Sequence, residues 1–249
     1  MKRSMLAAVA TVCTLFFGMS ISVAQDGPSH FRPVEIWSCS FNDGMDMDDM
    51  NDVYEDINEG PGDSSYSGFH LDPYFVGARS QDFDFIYLGV WENGSDMSDF
   101  DPSDNDVEDA WNEAANCSGF LYASTRIQEI PEDAGDATGP FALVVSDCTI
   151  EEGRSAGQAV GAMNRFNDYK VANGSTVPTF VWFPALGDGN ADFDFKLVMS
   201  FPGMQAYGHF FNWYEDNAIY QAQGAMMDGL VDCDDGRLYF GRNVVSNSD

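Results

Sequence analysis

The stretches Val34-Glu35-Ile36-Trp37-Ser38-Cys39 and Leu143-Val144-Val145-Ser146-Asp147-Cys148 share one pattern, and this repetition decides the fold. Cys148 follows Cys39 by 109 positions, and the tetrapeptide Asp-Phe-Asp-Phe recurs at 82–85 and 192–195 at nearly the same spacing. Because the matches keep one order and a spacing of 109 or 110, which grows to 116 only at the last cysteine, they predict an internal duplication with a few extra residues late in the second copy. The remaining matches are Trp91 with Phe201, Phe100 with Phe210, and Cys117 with Cys233.

Each copy contains the same order of hydrophobic patterns, in which short apolar runs predict strands and a 3.6-residue period predicts helices. In the first copy the predicted strands are 33–41, 69–78, 82–91 and 119–128, and the predicted helices are 46–58 and 107–115. In the second copy the predicted strands are 141–149, 179–186, 192–201 and 237–245, and the predicted helices are 155–169 and 207–227. This βαββαβ order is that of a ferredoxin-like unit.

The first 24 residues have the features of a secretory signal peptide. Lys2 and Arg3 precede an apolar stretch from Met5 to Met19, and a small-residue cleavage site ends at Ala24. We therefore predict a periplasmic or secreted protein with no membrane span after cleavage. The predicted organisation is a signal peptide (1–24), a first repeat (25–129), a linker (130–140) and a second repeat (141–249).

The cysteines predict two disulfides. Four remain after signal cleavage, and an even number in an exported chain is typical of disulfide pairing. In a ferredoxin-like unit the first and fourth strands are antiparallel neighbours, so the end of the first meets the start of the fourth. The pairs predicted from this arrangement are Cys39–Cys117 and Cys148–Cys233.

Composition excludes several classes of protein. The chain has 41 acidic and 11 basic residues, a formal net charge of −30, and 44% hydrophobic residues. Nucleic acid and anionic membrane surfaces both require a basic surface that is absent here. The apolar content is too high for a disordered acidic tail. The acidic clusters match no calcium-loop pattern, so we predict a solvated acidic surface and no metal site.

Two fused βαββαβ units resemble the dimeric α+β-barrel superfamily, through their element order and duplication. This resemblance implies an α+β fold in which two tandem ferredoxin-like repeats form a pseudo-dimeric α+β barrel with helices outside. The superfamily includes cofactor-free monooxygenases of the antibiotic-biosynthesis type, haem-degrading enzymes and stress-responsive proteins. No site residue of those enzymes can be matched to a position in this sequence. The alternative architecture is two ferredoxin-like domains packed side by side without closure.

The third predicted strand of each copy carries the weak catalytic candidates Asp84 and Asp194. If both sheet faces are covered, these carboxylates are partly buried and act either as a base or as hydrogen-bond acceptors for the backbone. Lys196 is expected to form a structural ion pair with Asp147 on the neighbouring strand.

Aromatic residues and histidines are the other candidate site residues. A pocket between the two sheets lined by aromatic rings would accept a small apolar or aromatic molecule, although ordinary core packing explains the same rings. The ring candidates are Trp37, Tyr87, Trp91, Trp182 and Phe201. His70 and His209 are candidate general bases or haem ligands, the alternative being histidines that are exposed or hydrogen-bonded.

Three hypotheses for function follow from these residues. The first is an exported protein that binds a small apolar or aromatic molecule between its sheets. The second is an enzyme of the cofactor-free or haem-using monooxygenase kind. The third is a structural or interaction module without catalysis. The sequence requires no particular cofactor and does not decide whether the chain is an enzyme.

Overall fold

The computed structural model of the chain describes residues 31–59, 66–77, 82–99, 105–128, 139–187 and 191–246. The predicted signal peptide and residues 130–138 of the predicted linker lie outside the described residues. Within these ranges the chain is an α+β protein, in which helices cover the outside of one closed antiparallel sheet.

The described residues contain nine strands. They are β1 (Arg32–Phe41), β2 (Tyr66–Phe75), β3 (Phe85–Trp91), β4 (Ala115–Gln128), β5 (Phe141–Ile150), β6 (Thr179–Leu186), β7 (Phe195–Phe201), β8 (Val231–Cys233) and β9 (Arg237–Ser246). Eight of them are paired in the order β7-β6-β4-β1-β3-β2-β9-β5, and the pairing of β5 with β7 closes the barrel. The pairs β2–β9 and β4–β6 join the two halves, so the side-by-side alternative is wrong.

Six helices occur among the described residues: α1 (Met47–Glu59), α2 (Gly94–Asp99), α3 (Asn105–Ala114), α4 (Ala156–Ala172), α5 (Met204–Asp216) and α6 (Ile219–Met227). Helix α4 begins at a capping box, in which Ser155 and Gln158 satisfy each other's backbone N–H groups. The sequence does not predict α2, a single short segment whose first N–H groups donate to the side chain of Asn93.

Both predicted disulfides are confirmed. Cys39 on β1 lies directly opposite Cys117 on β4, and Cys148 on β5 lies opposite Cys233 on β8. The expectation that Cys117 precedes the fourth strand is wrong, because β4 begins at Ala115, directly after α3. Asn42 supports this early start by donating to the last carbonyls of α3, at Asn112 and Glu113.

The predicted helix 207–227 is also wrong as one continuous helix. It is divided between α5 and α6 at Ala218, whose φ of 51° is left-handed and cannot continue a right-handed helix. The indole N–H of Trp213 donates to the carbonyl of Asn173 across 2.8 Å, which ties α5 to the end of α4. Both helices pack on the outer face of the second-half strands beside α4.

Strand alternation separates a core inside the barrel from cores beneath the helices. The interior core includes Val34, Ile36, Leu71, Ile86, Leu88, Tyr122, Leu143, Val145, Trp182, Val198 and Tyr239. The outer face carries a core beneath α1 and α3 and further cores beneath α4, α5 and α6. No helix among the described residues is long and apolar enough to cross a membrane.

Candidate functional site

A cavity of about 210 Å³ lies between the outer face of the second-half strands and the helices α4, α5 and α6. We call it the helix–sheet pocket. Aromatic and aliphatic side chains form most of its wall, and Phe211, which is 63% exposed, marks its solvent side. Its wall includes Met163, Phe166, Leu197, Met199, Tyr207, Phe210, Tyr214 and Met227.

Lys170 on α4 lines this pocket and is only 2% exposed. Its amine donates to the hydroxyl of Thr179 across 3.1 Å and lies 5.4 Å from the centre of the Phe166 ring. Among the described residues, no carboxylate forms an ion pair with it. Because burial disfavours the charged amine, the pKa of Lys170 is lowered to about 7.

Asn167 lies one helical turn before Lys170 and also lines the pocket. Its side chain is buried, and its Nδ2 has no hydrogen-bond partner among the described residues. A buried amide N–H without a partner costs about 1–3 kcal/mol, so such groups call for an explanation. The helix–sheet pocket thus combines mainly apolar walls with two nitrogen groups. The Lys170 amine contacts a hydroxyl but no carboxylate, and the Asn167 Nδ2 has no hydrogen-bond partner among the described residues.

The corresponding outer face of the first half carries a cluster of packed aromatic side chains. Beneath α1 and α3, Tyr54 stacks on Tyr87 and Trp111 packs against both rings. Tyr66 donates to Glu35 across 2.6 Å and contacts the Tyr87 hydroxyl at 2.7 Å. Burial is the main reason that the pKa values of Glu35, Tyr66 and Tyr87 are raised.

A second cavity, also of about 210 Å³, lies inside the barrel. Its polar end carries Lys196 and Arg237, which both bind Asp147, at 2.6 Å and 3.0 Å. Arg237 also contacts Asp234 at 3.3 Å. The predicted pair between Lys196 and Asp147 is confirmed. Because these charged groups are paired with one another, the barrel cavity offers a ligand fewer free hydrogen-bonding groups than the helix–sheet pocket does.

Asp84 and Asp194 are exposed, so the expectation of buried carboxylates is wrong. Each directly precedes its strand and accepts a backbone N–H from the end of the neighbouring strand, Asp84 from Phe41 at 2.9 Å and Asp194 from Ile150 at 2.6 Å. Neither residue lines either cavity. The geometry agrees with the structural interpretation of this pair, in which the carboxylates terminate strand pairing.

The five ring candidates do not share one pocket. Trp182 lines the barrel cavity, whereas Trp37, Tyr87 and Trp91 belong to the core beneath α1 and α3. Phe201 packs beneath α5 against Tyr207 and Phe210. The expectation of an aromatic lining between the sheets is therefore wrong for four of them. Alternation predicts that residues share a face, but the sequence does not say which face is enclosed.

The two candidate histidines lie outside both cavities. His70 is buried beneath α1, where Nδ1 contacts the hydroxyl of Tyr54 and Nε2 contacts Asp72, each at 3.1 Å. Burial lowers the pKa of His70, and Asp72 partly opposes that effect. His209 is exposed on α5. His70 has both ring nitrogens engaged in contacts, and His209 lines neither cavity. Neither histidine therefore fits the role of a haem ligand.

Sequence reasoning missed Lys170, Asn167 and Thr179. A signal for Lys170 was present, because Ala159, Met163 and Phe166 form the inward stripe of α4 and position 170 continues it. Asn167 lies on the same stripe, four residues after Met163, and Thr179 shares a strand face with buried Val181, but periodicity alone does not show that a cavity remains beside them. Among the described residues, no group of three or more His, Cys, Asp or Glu side chains is placed to hold a metal ion.

The fold is that of the dimeric α+β-barrel proteins, and three solved structures illustrate the similarity. A proposed monooxygenase from Fusobacterium nucleatum matches with a TM-score of 0.57 at 8% identity, covering 88% of this chain and 97% of its own. An anthrone oxidase-like protein matches at 0.51 and 7% identity, with coverages of 90% and 99%. A mutant chlorite dismutase from Candidatus Nitrospira defluvii matches at 0.50 and 9% identity, with coverages of 89% and 96%.

At these identities the similarity concerns the fold alone. No protein-family description matches the sequence. No curated protein matches it either.

Proposed function

We propose that this chain is an exported protein that binds a small, mainly aromatic molecule with an oxygen acceptor in the helix–sheet pocket. The observation that carries the proposal is the buried amine of Lys170 together with the Nδ2 of Asn167, which has no hydrogen-bond partner among the described residues, in a cavity with mainly apolar walls. This location replaces our sequence-based expectation of a ligand between the sheets. The barrel cavity, where the cations are already paired, is the competing location.

The cavity limits the size and chemistry of the ligand. An apolar cavity of about 150 Å³ is known to hold benzene, so the larger helix–sheet pocket suits one or two fused rings. Apolar walls supply most of the binding energy, while a few polar groups orient the ligand. Lys170 and Asn167 both donate hydrogen bonds, so the ligand's polar group is an acceptor such as a carboxylate, phenolate or carbonyl oxygen.

Three related probes test this assignment: naphthalene, 2-naphthol and 2-naphthoate, with binding measured by calorimetry at about pH 6, where Lys170 is largely protonated. We expect 2-naphthoate to bind the wild type at least about tenfold more tightly than naphthalene, since a charged hydrogen bond contributes about 1.5–3 kcal/mol. Lys170→Met should remove this preference. Lys196→Met is the matched control, because Lys196 lines the barrel cavity. A loss in the control alone would locate the ligand inside the barrel.

Cofactor-free oxygenation is the second candidate, and the lowered pKa of Lys170 favours it because a neutral amine accepts protons. The solved proteins of this fold include a proposed monooxygenase and an anthrone oxidase-like protein. We therefore suggest oxygen-uptake measurements with anthrone as the probe. Uptake that depends on Lys170 would support an enzyme, and uptake equal to the protein-free rate would argue for binding alone.

We further infer that the barrel is built from two tandem ferredoxin-like repeats, residues 25–129 and 141–249, joined by the linker 130–140. The strand orders β4-β1-β3-β2 and β9-β5-β7-β6 support this inference, since they correspond element by element. The matching bonds of Asp84 and Asp194 add to it. An experimental structure whose halves superpose over all eight barrel strands would test it.

Export is the remaining part of the proposal, and two disulfides are compatible with an extracellular location. The mass of the protein purified from a bacterial periplasm tests both features. We expect the N-terminus to begin after Ala24 and the mass to be four hydrogens below that of the reduced chain. A protein that retains residues 1–24 would contradict the predicted signal peptide.

A further inference from the structure

The sequence contains lysine only at positions 2, 170 and 196, and the two described lysines have opposite surroundings. Lys196 lies 2.6 Å from the carboxylate of Asp147 and forms an ion pair with it. Lys170 instead touches the hydroxyl of Thr179 and the ring of Phe166, both uncharged. The chain thus holds one lysine in an ion pair, Lys196, and one buried lysine, Lys170, that has no ion-pair partner among the described residues.

The pocket wall offers Lys170 little to stabilise a positive charge. Besides Lys170 itself, the titratable residues that line the pocket are Tyr207 and Tyr214. The hydroxyl of Tyr214 donates to the side chain of Gln223. Burial also lowers the pKa of Lys170 to about 7, whereas an exposed lysine at neutral pH is almost entirely protonated. A substantial fraction of Lys170 is therefore neutral and nucleophilic near pH 7.

We propose that Lys170 is a carbonyl-condensing residue that forms an imine with small aldehydes or ketones in the helix–sheet pocket. This inference rests on the proposed function, since it names a substrate class for the same pocket. The amine nitrogen attacks the carbonyl carbon, and a proton moves from nitrogen to the carbonyl oxygen to give a carbinolamine. Loss of water then forms the C=N bond, with no oxidation or reduction.

Neighbouring groups suit each part of this reaction. The hydroxyl of Thr179 contacts the amine at 3.1 Å, where it orients the nitrogen and can exchange protons with it. Asn167 lies three residues earlier on α4 and lines the same pocket. Its side-chain N–H has no partner among the described residues and can therefore donate to the carbonyl oxygen. The amine of Lys170 is buried and the lining is mainly apolar, which limits the access of water that would hydrolyse the imine.

Reductive trapping tests the proposal on the mature, disulfide-bonded protein. The protein is incubated with benzaldehyde and cyanoborohydride at about pH 7, and the labelled positions are mapped by peptide mass spectrometry. The expected adduct adds the mass of benzaldehyde less one oxygen atom. We expect Lys170 to be labelled at least about tenfold faster than Lys196, because about half of its amine is neutral near its pKa. Equal labelling rates in the folded protein would overturn the proposal.

Two controls keep the result interpretable. In urea the labelling rates of the two lysines should become similar, since the selectivity belongs to the folded pocket. Lys170→Met should lose the adduct, while Lys196→Met should keep it at the wild-type rate. If neither the wild type nor the folded Lys196→Met variant is labelled at position 170, the inference is wrong.

The naphthyl probes separate this inference from the function on which it rests. Binding of 2-naphthoate without any trapped adduct would overturn carbonyl condensation and leave the proposed binding function intact. An adduct at Lys170 with no binding of any naphthyl probe would support the nucleophilic amine and contradict the binding of fused-ring ligands.

Discussion

The amine of Lys170 donates a hydrogen bond to the hydroxyl of Thr179 across 3.1 Å, and both side chains are at least 98% buried. The contact joins α4 to β6 at the wall of the helix–sheet pocket. A hydroxyl is a weak substitute for a carboxylate, so this lysine remains costly to protonate in the folded protein. The free-energy cost of protonating Lys170 in the folded state therefore affects both the stability of the chain and its proposed chemistry.

Replacing Lys170 by Met should stabilise the protein in a pH-dependent way. Folding lowers the pKa of Lys170 from 10.5 to about 7, so the unfolded state binds the proton more tightly. The destabilisation of the folded state by Lys170 is therefore full below pH 7 and disappears as the pH rises towards 10.5. The free energy of unfolding of Lys170→Met should exceed that of the wild type by about 3–5 kcal/mol in the full-penalty range.

Urea denaturation at about pH 6 and about pH 9 measures this difference, which should narrow at the higher pH. Lys196→Met is the control, and it should instead lose stability because it leaves Asp147 with one cation fewer. A difference between Lys170→Met and wild type that stays constant with pH would contradict the assigned pKa.

The affinity for 2-naphthoate should fall with rising pH. The anion pairs with the ammonium form of Lys170, and this form is lost in the free protein above about pH 7. Calorimetry should give a constant affinity below that pH and up to about a tenfold loss per pH unit above it. The affinity for uncharged naphthalene should change little, and a parallel decrease for naphthalene would show that the pocket itself unfolds.

Removing either strand-terminating aspartate should lower stability without changing ligand binding. Asp84→Ala and Asp194→Ala each delete an acceptor for one backbone N–H, at Phe41 and Ile150, so each should cost about 1 kcal/mol. The Asn variants retain an acceptor oxygen and should recover part of the loss. Thermal unfolding with 2-naphthoate titration distinguishes this role from catalysis, since a lost ligand affinity at full stability would support a site role.

Each disulfide should contribute strongly to stability because it closes a long loop. The bonds Cys39–Cys117 and Cys148–Cys233 span sequence separations of 78 and 85 residues. On the chain-entropy account, replacing one pair by Ala should cost about 4–5 kcal/mol. Chemical denaturation of the two double variants measures the loss. The two losses should be similar, and a negligible effect for either pair would mean that its reduced chain stays constrained by other contacts.

Local patterns account for most of the architecture. Strands alternate with period 2 and helices with period 3.6, so the βαββαβ order is readable from apolar spacing alone. The cysteine pairs follow from the same order, because neighbouring strands bring Cys39 to Cys117 and Cys148 to Cys233. Helix division at Ala218 was not predictable, since alanine favours helices and only the packing of α5 and α6 imposes its left-handed backbone.

The sequence predicted the candidate site much less well than it predicted the architecture. Tyr87 and Trp91 lie on one strand, as predicted, yet they pack beneath α1 and α3 and not inside the barrel. Asp84 and Asp194 occupy equivalent positions in the two halves, but they are exposed and directly precede the strands that were predicted to contain them. Spacing along the chain shows which residues are equivalent, but it does not show what other elements pack against them.

The sequence by itself determined the element order, the disulfide pairs and the ion pair of Lys196 with Asp147, because each depends on one strand or on two neighbouring strands. Only the tertiary structure decided which sheet face is enclosed and where a cavity remains. Those features depend on how side chains from several distant elements fill a shared volume. Lys170 becomes a candidate site residue only when α4, β6, α5 and α6 surround its amine and exclude water from it.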